Sequence, residues 1–114
     1  MILQRLKDIW QGKTILREKR DGDWPETRRL FLKSHPTCAV CGGKEKLEVH
    51  HIEPFHLVPG LELIPYNLIT LCESKRLGVT CHLFFGHLGN YRKYNPNIKS
   101  DATIWNMKLR GVVE

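Results

Sequence analysis

LEVHHIEPFH, residues 47–56, holds three of the six histidines of a 114-residue chain, and two of them, His50 and His51, are adjacent. The alternation through Lys46–Ile52 is that of a β-strand, and Pro54 interrupts it. Successive side chains on a strand point to opposite faces, so strand geometry alone does not bring both imidazoles to one pocket. Two readings are open: a chance pair on a solvated loop, or a division of labour in which one ring holds a metal and its neighbour moves a proton. The flanking segments choose between them.

Upstream lies CAVCGG, residues 38–43, a Cys-x-x-Cys knuckle closed by two glycines that let the backbone fold back on itself. Downstream, LITLC at 68–72 is a second short apolar strand ending in Cys72, and Cys81 follows across ESKRLGVT. Cys38 and Cys41 are spaced to reach one tetrahedral ion, with Cys72 and Cys81 closing the site from a second segment. Four thiolates leave no open position, so such a zinc is structural and ties the segments on either side of the histidine strand together. The bland alternative is four unrelated thiols.

The length fits one domain whose modest core a metal staple would help. The opening MILQRLKDIW carries charge within its apolar pattern, which suits a short amphipathic helix and not a signal peptide. With no apolar run of membrane-spanning length, the chain is expected to be soluble and cytoplasmic, where thiols stay reduced and paired cysteines bind metal. A formal net charge of +6 points to a polyanionic partner. QGKTILREKRDGD, residues 11–23, reads as an exposed arm. WPETRRLFLKSH is a predicted helix capped by Asp23, with Pro25 in its first turn, an apolar side of Trp24, Phe31 and Leu32 with Arg28 or Leu30, and Pro36 as its stop. A last helix is predicted in DATIWNMKLRGVV, with Asp101 as cap and Ile104, Trp105 and Met107 or Lys108 at helical spacing. Three parts follow within a single domain: a helical, basic arm (1–36), a zinc-stapled core (37–95) and a C-terminal helix (96–114).

His50-His51-Ile52 with Pro54, then Asn67-Leu68-Ile69-Thr70-Leu71-Cys72, then Cys81-His82, resembles the HNH family of metal-dependent nucleases, in the subgroup that adds Cys-x-x-Cys ahead of the motif. CHLFFGHLGNYRKYNPN, residues 81–97, further resembles small phage-encoded members. The resemblance spans about residues 38 to 95 and implies an α+β fold: a small ββα-metal (His-Me finger) core with a structural zinc site and flanking N- and C-terminal helices. It also implies DNA phosphodiester hydrolysis, by nicking or double-strand cleavage, with Mg²⁺, Mn²⁺, Ni²⁺ or Zn²⁺ as the catalytic ion. DNA is the implied partner, and phage terminase or portal proteins join it, since small phage members often sit beside packaging proteins.

By the resemblance, His51 matches the general base and Asn67 the amide that hydrogen-bonds and orients it. His50 matches the metal ligand that is often Asp in relatives, and His82 the ligand at the start of the helix. His87 is the third ligand candidate, with His56 in reserve. Two departures stand out. The second cysteine pair is widely spaced, and His82 and His87 are five apart, where a regular helix turns them well over a right angle away from each other. Arg17, Lys19, Arg20, Arg28, Arg29, Lys75, Arg76, Arg92 and Lys93 are expected to meet phosphate, some of them merely solvated. The competing reading is a zinc-stapled DNA-binding module without catalysis.

Overall fold

The structure, a computed structural model, describes residues 22–111. The expected first helix and the arm residues Arg17, Lys19 and Arg20 lie outside them. Helix α1 (Trp24–Ser34) has Pro25 in its first turn, where the missing N–H costs no helical bond. Asp23 holds the N-cap position without a side-chain cap bond, and its carbonyl accepts from Thr27 N–H at 3.0 Å. The helix ends at His35, whose N–H reaches Phe31 O at 2.8 Å, and Pro36 prevents continuation.

Strands β1 (Leu47–His51) and β2 (Leu68–Cys72) form one antiparallel hairpin with His51 opposite Leu68, His50 opposite Ile69 and Val49 opposite Thr70. Paired residues share a face. One face therefore carries Val49, His51 and Leu68, and α1 covers it with Phe31, Trp24 and Leu32. The other carries His50, Ile69 and Leu71, and packs into the larger core with Phe85, Ile98 and Ala102. This is why β2 is buried at every position while β1 is buried only at its end.

The long connection between the strands is pinned at Asn67. Its carbonyl accepts from Ile52 N–H at 2.8 Å, its Oδ1 from Glu53 N–H at 2.8 Å, and its Nδ2 donates to Glu53 O and Leu61 O at 3.1 and 3.3 Å. The side chain thus extends the ladder past the end of the hairpin and holds two short 3₁₀ turns, Pro59–Leu61 and Pro65–Asn67, against it.

After β2 the chain makes one π-helical turn, His82–Gly86, where the resemblance implies a helix starting at His82. Leu88 and Gly89 take positive φ, 55° and 85°, and reverse the chain. Helix α2 (Ile98–Leu109) starts three residues before the predicted Asp101 cap. Asp101 instead accepts from Asn95 Nδ2 at 2.7 Å, and Asn95 also donates to Phe85 O at 3.0 Å, which fastens α2 to the π turn. The buried contacts of α2 are Ile98 and Ala102, whereas Ile104 and Trp105 remain substantially exposed. Among the described residues no helix is long and apolar enough to cross a membrane.

Candidate functional site

The two histidines point to opposite faces of the hairpin, as a strand requires, yet both line one cleft of about 420 Å³. The cleft runs along β1, which pairs with β2 on one side only, and Glu48, Val49, His50 and His51 all line it. His51 reaches it from the α1 face, packed on Trp24 with ring centroids 4.4 Å apart. His50 reaches it from the opposite face, where the π turn presents His82 and His87.

The five-residue spacing of His82 and His87 finds its explanation in that turn. A π-helical turn is wider than an α-helical one and closes on i→i+5, so residues five apart come to one side. His82 Nε2 lies 3.1 Å from His50 Nδ1 and 3.2 Å from His87 Nε2. The three rings form a cluster that could hold a metal ion, and the cluster excludes His56, which stands exposed in the cleft wall.

Protonation shows why this cluster suits a cation. Glu73 accepts from His82 Nδ1–H at 2.5 Å, and the Lys93 carbonyl accepts from His87 Nδ1–H at 2.7 Å. In the neutral rings both Nε2 lone pairs then face each other across 3.2 Å. A proton on one of them or a metal ion between them reconciles the pair, and a tetrahedral ion about 2.0–2.1 Å from each nitrogen would set the nitrogens roughly 3.3 Å apart, close to the separation seen. Burial, reinforced by the neighbouring imidazoles, holds His50 neutral, its pKa pushed down to about 3. Burial also lowers His87, with the Lys93 carbonyl opposing.

His50 lacks an outer hydrogen-bond partner: its Nε2 is buried and unpartnered among the described residues. Packing holds the ring instead. A Cβ on Gly86 would meet Leu71 Cδ1 at 3.0 Å, His50 Cε1 at 3.1 Å and His50 Nδ1 at 3.2 Å, so the ring seats over bare backbone. Gly86→Ala is therefore expected to push His50 Nδ1 out of register and weaken divalent-ion binding about tenfold, within the range of lost supporting contacts. Calorimetric titration of the zinc-loaded variant with Ni²⁺ checks this; unchanged affinity contradicts it.

His51 is oriented differently from the expectation. Asn67 does not bond it; the buried Glu62 carbonyl does, accepting from His51 Nε2 at 2.9 Å. A carbonyl only accepts, so Nε2 carries the proton and Nδ1 holds the lone pair that a base needs. Asn67 acts one step back, since its bond to Leu61 O fixes the residue next to Glu62.

The four cysteines are free thiols clustered from the knuckle, the end of β2 and the residue preceding the π turn, and they can hold zinc. Gly42, at φ 75°, gives the knuckle its turn, and Gly42 N–H bonds Cys38 O at 2.9 Å. Cys41 Sγ and Cys72 Sγ are 3.6 Å apart, close to the roughly 3.8 Å that zinc–sulfur bonds of about 2.3 Å impose in a tetrahedron. A hydrogen bond from Cys81 pulls Cys38 down to about 4, while that bond and burial push Cys81 well up. The packed sulfurs thus favour one thiolate at the expense of its neighbours, a conflict a divalent cation removes.

Of the expected phosphate-binding residues, Arg28, Arg92 and Lys93 line the cleft, Arg28 also pairing with Glu48 at 3.3 Å. Arg29 is bound to Glu26 on the exposed side of α1. Lys75 and Arg76 lie elsewhere, in a groove beside the cysteine cluster with Lys44 and Lys46. Sequence reasoning missed Glu73, Tyr91 and the Glu62 carbonyl. Only Glu73, directly after Cys72, left a signal that the motif could have exposed.

A hairpin followed by a histidine-bearing helical turn around a three-nitrogen cluster is the ββα-metal arrangement of divalent-ion nucleases. Residues 38–74 match the family model of the HNH endonucleases. The matched span includes His50, His51 and Asn67 and ends before His82. No curated protein and no solved structure matches the chain. A match to that domain supports a nuclease or DNA-binding role.

Proposed function

We propose that the protein is a metal-dependent endonuclease that hydrolyses DNA phosphodiester bonds, nicking or cleaving the duplex, with His51 as general base and His50, His82 and His87 holding one catalytic divalent ion. The observation that carries this reading is the cleft shared by a tautomer-fixed His51 and the three converging ring nitrogens. Such an ion, Mg²⁺, Mn²⁺, Ni²⁺ or Zn²⁺, supplies positive charge for the scissile phosphate and the departing 3′ oxygen. His51 Nδ1 takes a proton from water, the water oxygen bonds phosphorus, and the bond from phosphorus to the 3′ oxygen breaks. The departing 3′ oxygen takes a proton from solvent and His51 returns its own to solvent, so the products are a 5′ phosphate and a 3′ hydroxyl. Asn67 positions the loop that orients the base, and Trp24 limits the ring's tilt.

Cys38, Cys41, Cys72 and Cys81 hold structural zinc in this proposal, stapling a core of residues 37–95 between a basic arm (1–36) and a C-terminal helix (96–114). Arg28, Arg92 and Lys93 draw the scissile strand into the cleft, and Arg17, Arg20, Arg29, Lys75 and Arg76 are the other phosphate-meeting residues of this proposal. Contacts of that kind give salt-sensitive binding with modest sequence preference. Phage origin, action in the host cytoplasm and work beside terminase or portal proteins rest on the likeness of residues 81–97 to phage-encoded members.

Supercoiled plasmid incubated with the zinc-loaded protein and each of the four ions tests the reading. Conversion to nicked or linear DNA under at least one ion is expected. Salt-sensitive binding without conversion under any ion would favour the non-catalytic, zinc-stapled DNA-binding module.

A further inference from the structure

Glu73 has no role in the reading above, yet it is the most constrained carboxylate at the site. Its Oε1 accepts from His82 Nδ1–H at 2.5 Å, and both its oxygens lie 3.3–3.4 Å from the Tyr91 hydroxyl. Its backbone is held as well, because Glu73 N–H donates to Lys46 O at 2.7 Å and Cys72 before it belongs to the sulfur cluster. Among the described residues His82 is its one ion-pair partner, so it is not shared with a lysine or arginine. Tyr91 is no accidental neighbour: its ring lies against both His82 and His87, with centroids 5.8 and 5.0 Å away.

We propose that Glu73, steadied by Tyr91, is a positioning residue for His82, fixing its tautomer and strengthening Nε2 as a donor to a divalent cation. The proposal rests on the histidine cluster being a cation site. A carboxylate behind a ligating imidazole keeps the proton on the far nitrogen, leaves the near lone pair exposed, and pushes electron density toward it. His82 needs that control more than the other two rings, because its Nε2 is the atom close to both of them. A free glutamate would adopt many rotamers and hold the ring poorly. The Tyr91 hydroxyl restricts it from one side and the anchored Cys72–Glu73 backbone from the other.

The test uses the zinc-loaded 114-residue chain and Ni²⁺, an ion suited to imidazole, while the soft thiolates retain zinc. Calorimetry is expected to show one Ni²⁺ site in the wild type, about 10–100-fold weaker in Glu73→Ala and less severely weakened in Glu73→Gln, which keeps an acceptor but loses the charge. Tyr91→Phe should weaken it by a smaller factor. Zinc content and melting temperature should stay at wild-type values. A second readout needs no added ion: imidazole ¹⁵N NMR should report a single His82 tautomer in the wild type and a mixture in Glu73→Ala. If Glu73→Ala binds Ni²⁺ as tightly as wild type while His82→Ala loses it, Glu73 has no positioning role and the cation site survives. If the wild type binds no Ni²⁺ beyond its zinc, the cation site and the proposal fall together.

Discussion

His51→Ala is expected to lower plasmid cleavage by about 10²–10⁴-fold, the usual contribution of a positioned general base, while Ni²⁺ binding and salt-sensitive DNA binding persist. The separation follows from the two faces of β1. His51 lies on the side packed by Trp24, whereas the three-nitrogen cluster is built on the side packed by the π turn, so removing one ring leaves the other assembly in place. Alanine carries its own cost, because the buried Glu62 carbonyl loses the donor it has at 2.9 Å and an unmet buried acceptor costs roughly 1–3 kcal/mol. His51→Gln separates that effect from chemistry. Its amide can still donate toward Glu62, but no atom of it takes up a proton near neutral pH. Both variants should be equally poor catalysts, with alanine the less stable by thermal melting. Recovery of most of the activity in His51→Gln would mean that the ring only orders the loop, and the base would have to be sought elsewhere in the cleft.

Much of this site was legible in the sequence because its elements are short and their signals local. LITLC reads as a strand and is one, and the alternation before Pro54 predicts β1 to within a residue at each end. The cysteine spacings anticipate the sulfur cluster, since a knuckle and a strand end reach one point whatever the details between them. The motif also points to His50, His51 and His82, but it says nothing of which atom holds a ring in place. The Asn67–His51 bond is what the family resemblance implies, whereas the fold spends that amide on extending the hairpin and gives the task to a main-chain carbonyl at Glu62, which any residue type supplies. His87 was doubtful for a similar reason. Five positions are the wrong separation on an α-helix and the right one on a π turn, and nothing in HLFFG announces the wider turn beforehand. The predicted face of the last helix failed because tertiary contact, fastened by Asn95, buries Ile98 and Ala102 and leaves Ile104 and Trp105 substantially exposed.

Loss of the proposed zinc should be more damaging than loss of any histidine. Chelation, or Cys72→Ser, is expected to lower the melting temperature by tens of degrees and to abolish Ni²⁺ binding at the histidine cluster. Structural zinc sites contribute on the order of 10 kcal/mol to folding, while a whole small domain has a net stability of about 5–15 kcal/mol, so few packing contacts could compensate. The core here offers little reserve: a two-stranded hairpin is marginal alone, and its larger apolar cluster is built directly around Cys38, Cys72 and Cys81. The second effect comes from chain connectivity. Cys72 is bonded to Glu73 and Cys81 to His82, so each of these dipeptides gives one side chain to the sulfur cluster and the next to the histidine cluster. Releasing the sulfurs loosens both the imidazole and the carboxylate behind it, and with them the 3.1 and 3.2 Å nitrogen separations. Binding at the two clusters should therefore be linked, each ion raising the other's affinity. Melting curves and Ni²⁺ titrations taken before and after chelation measure both consequences in one preparation. A zinc-depleted protein that melts at the same temperature and still takes up Ni²⁺ would show that the four thiols are packed for their shape alone.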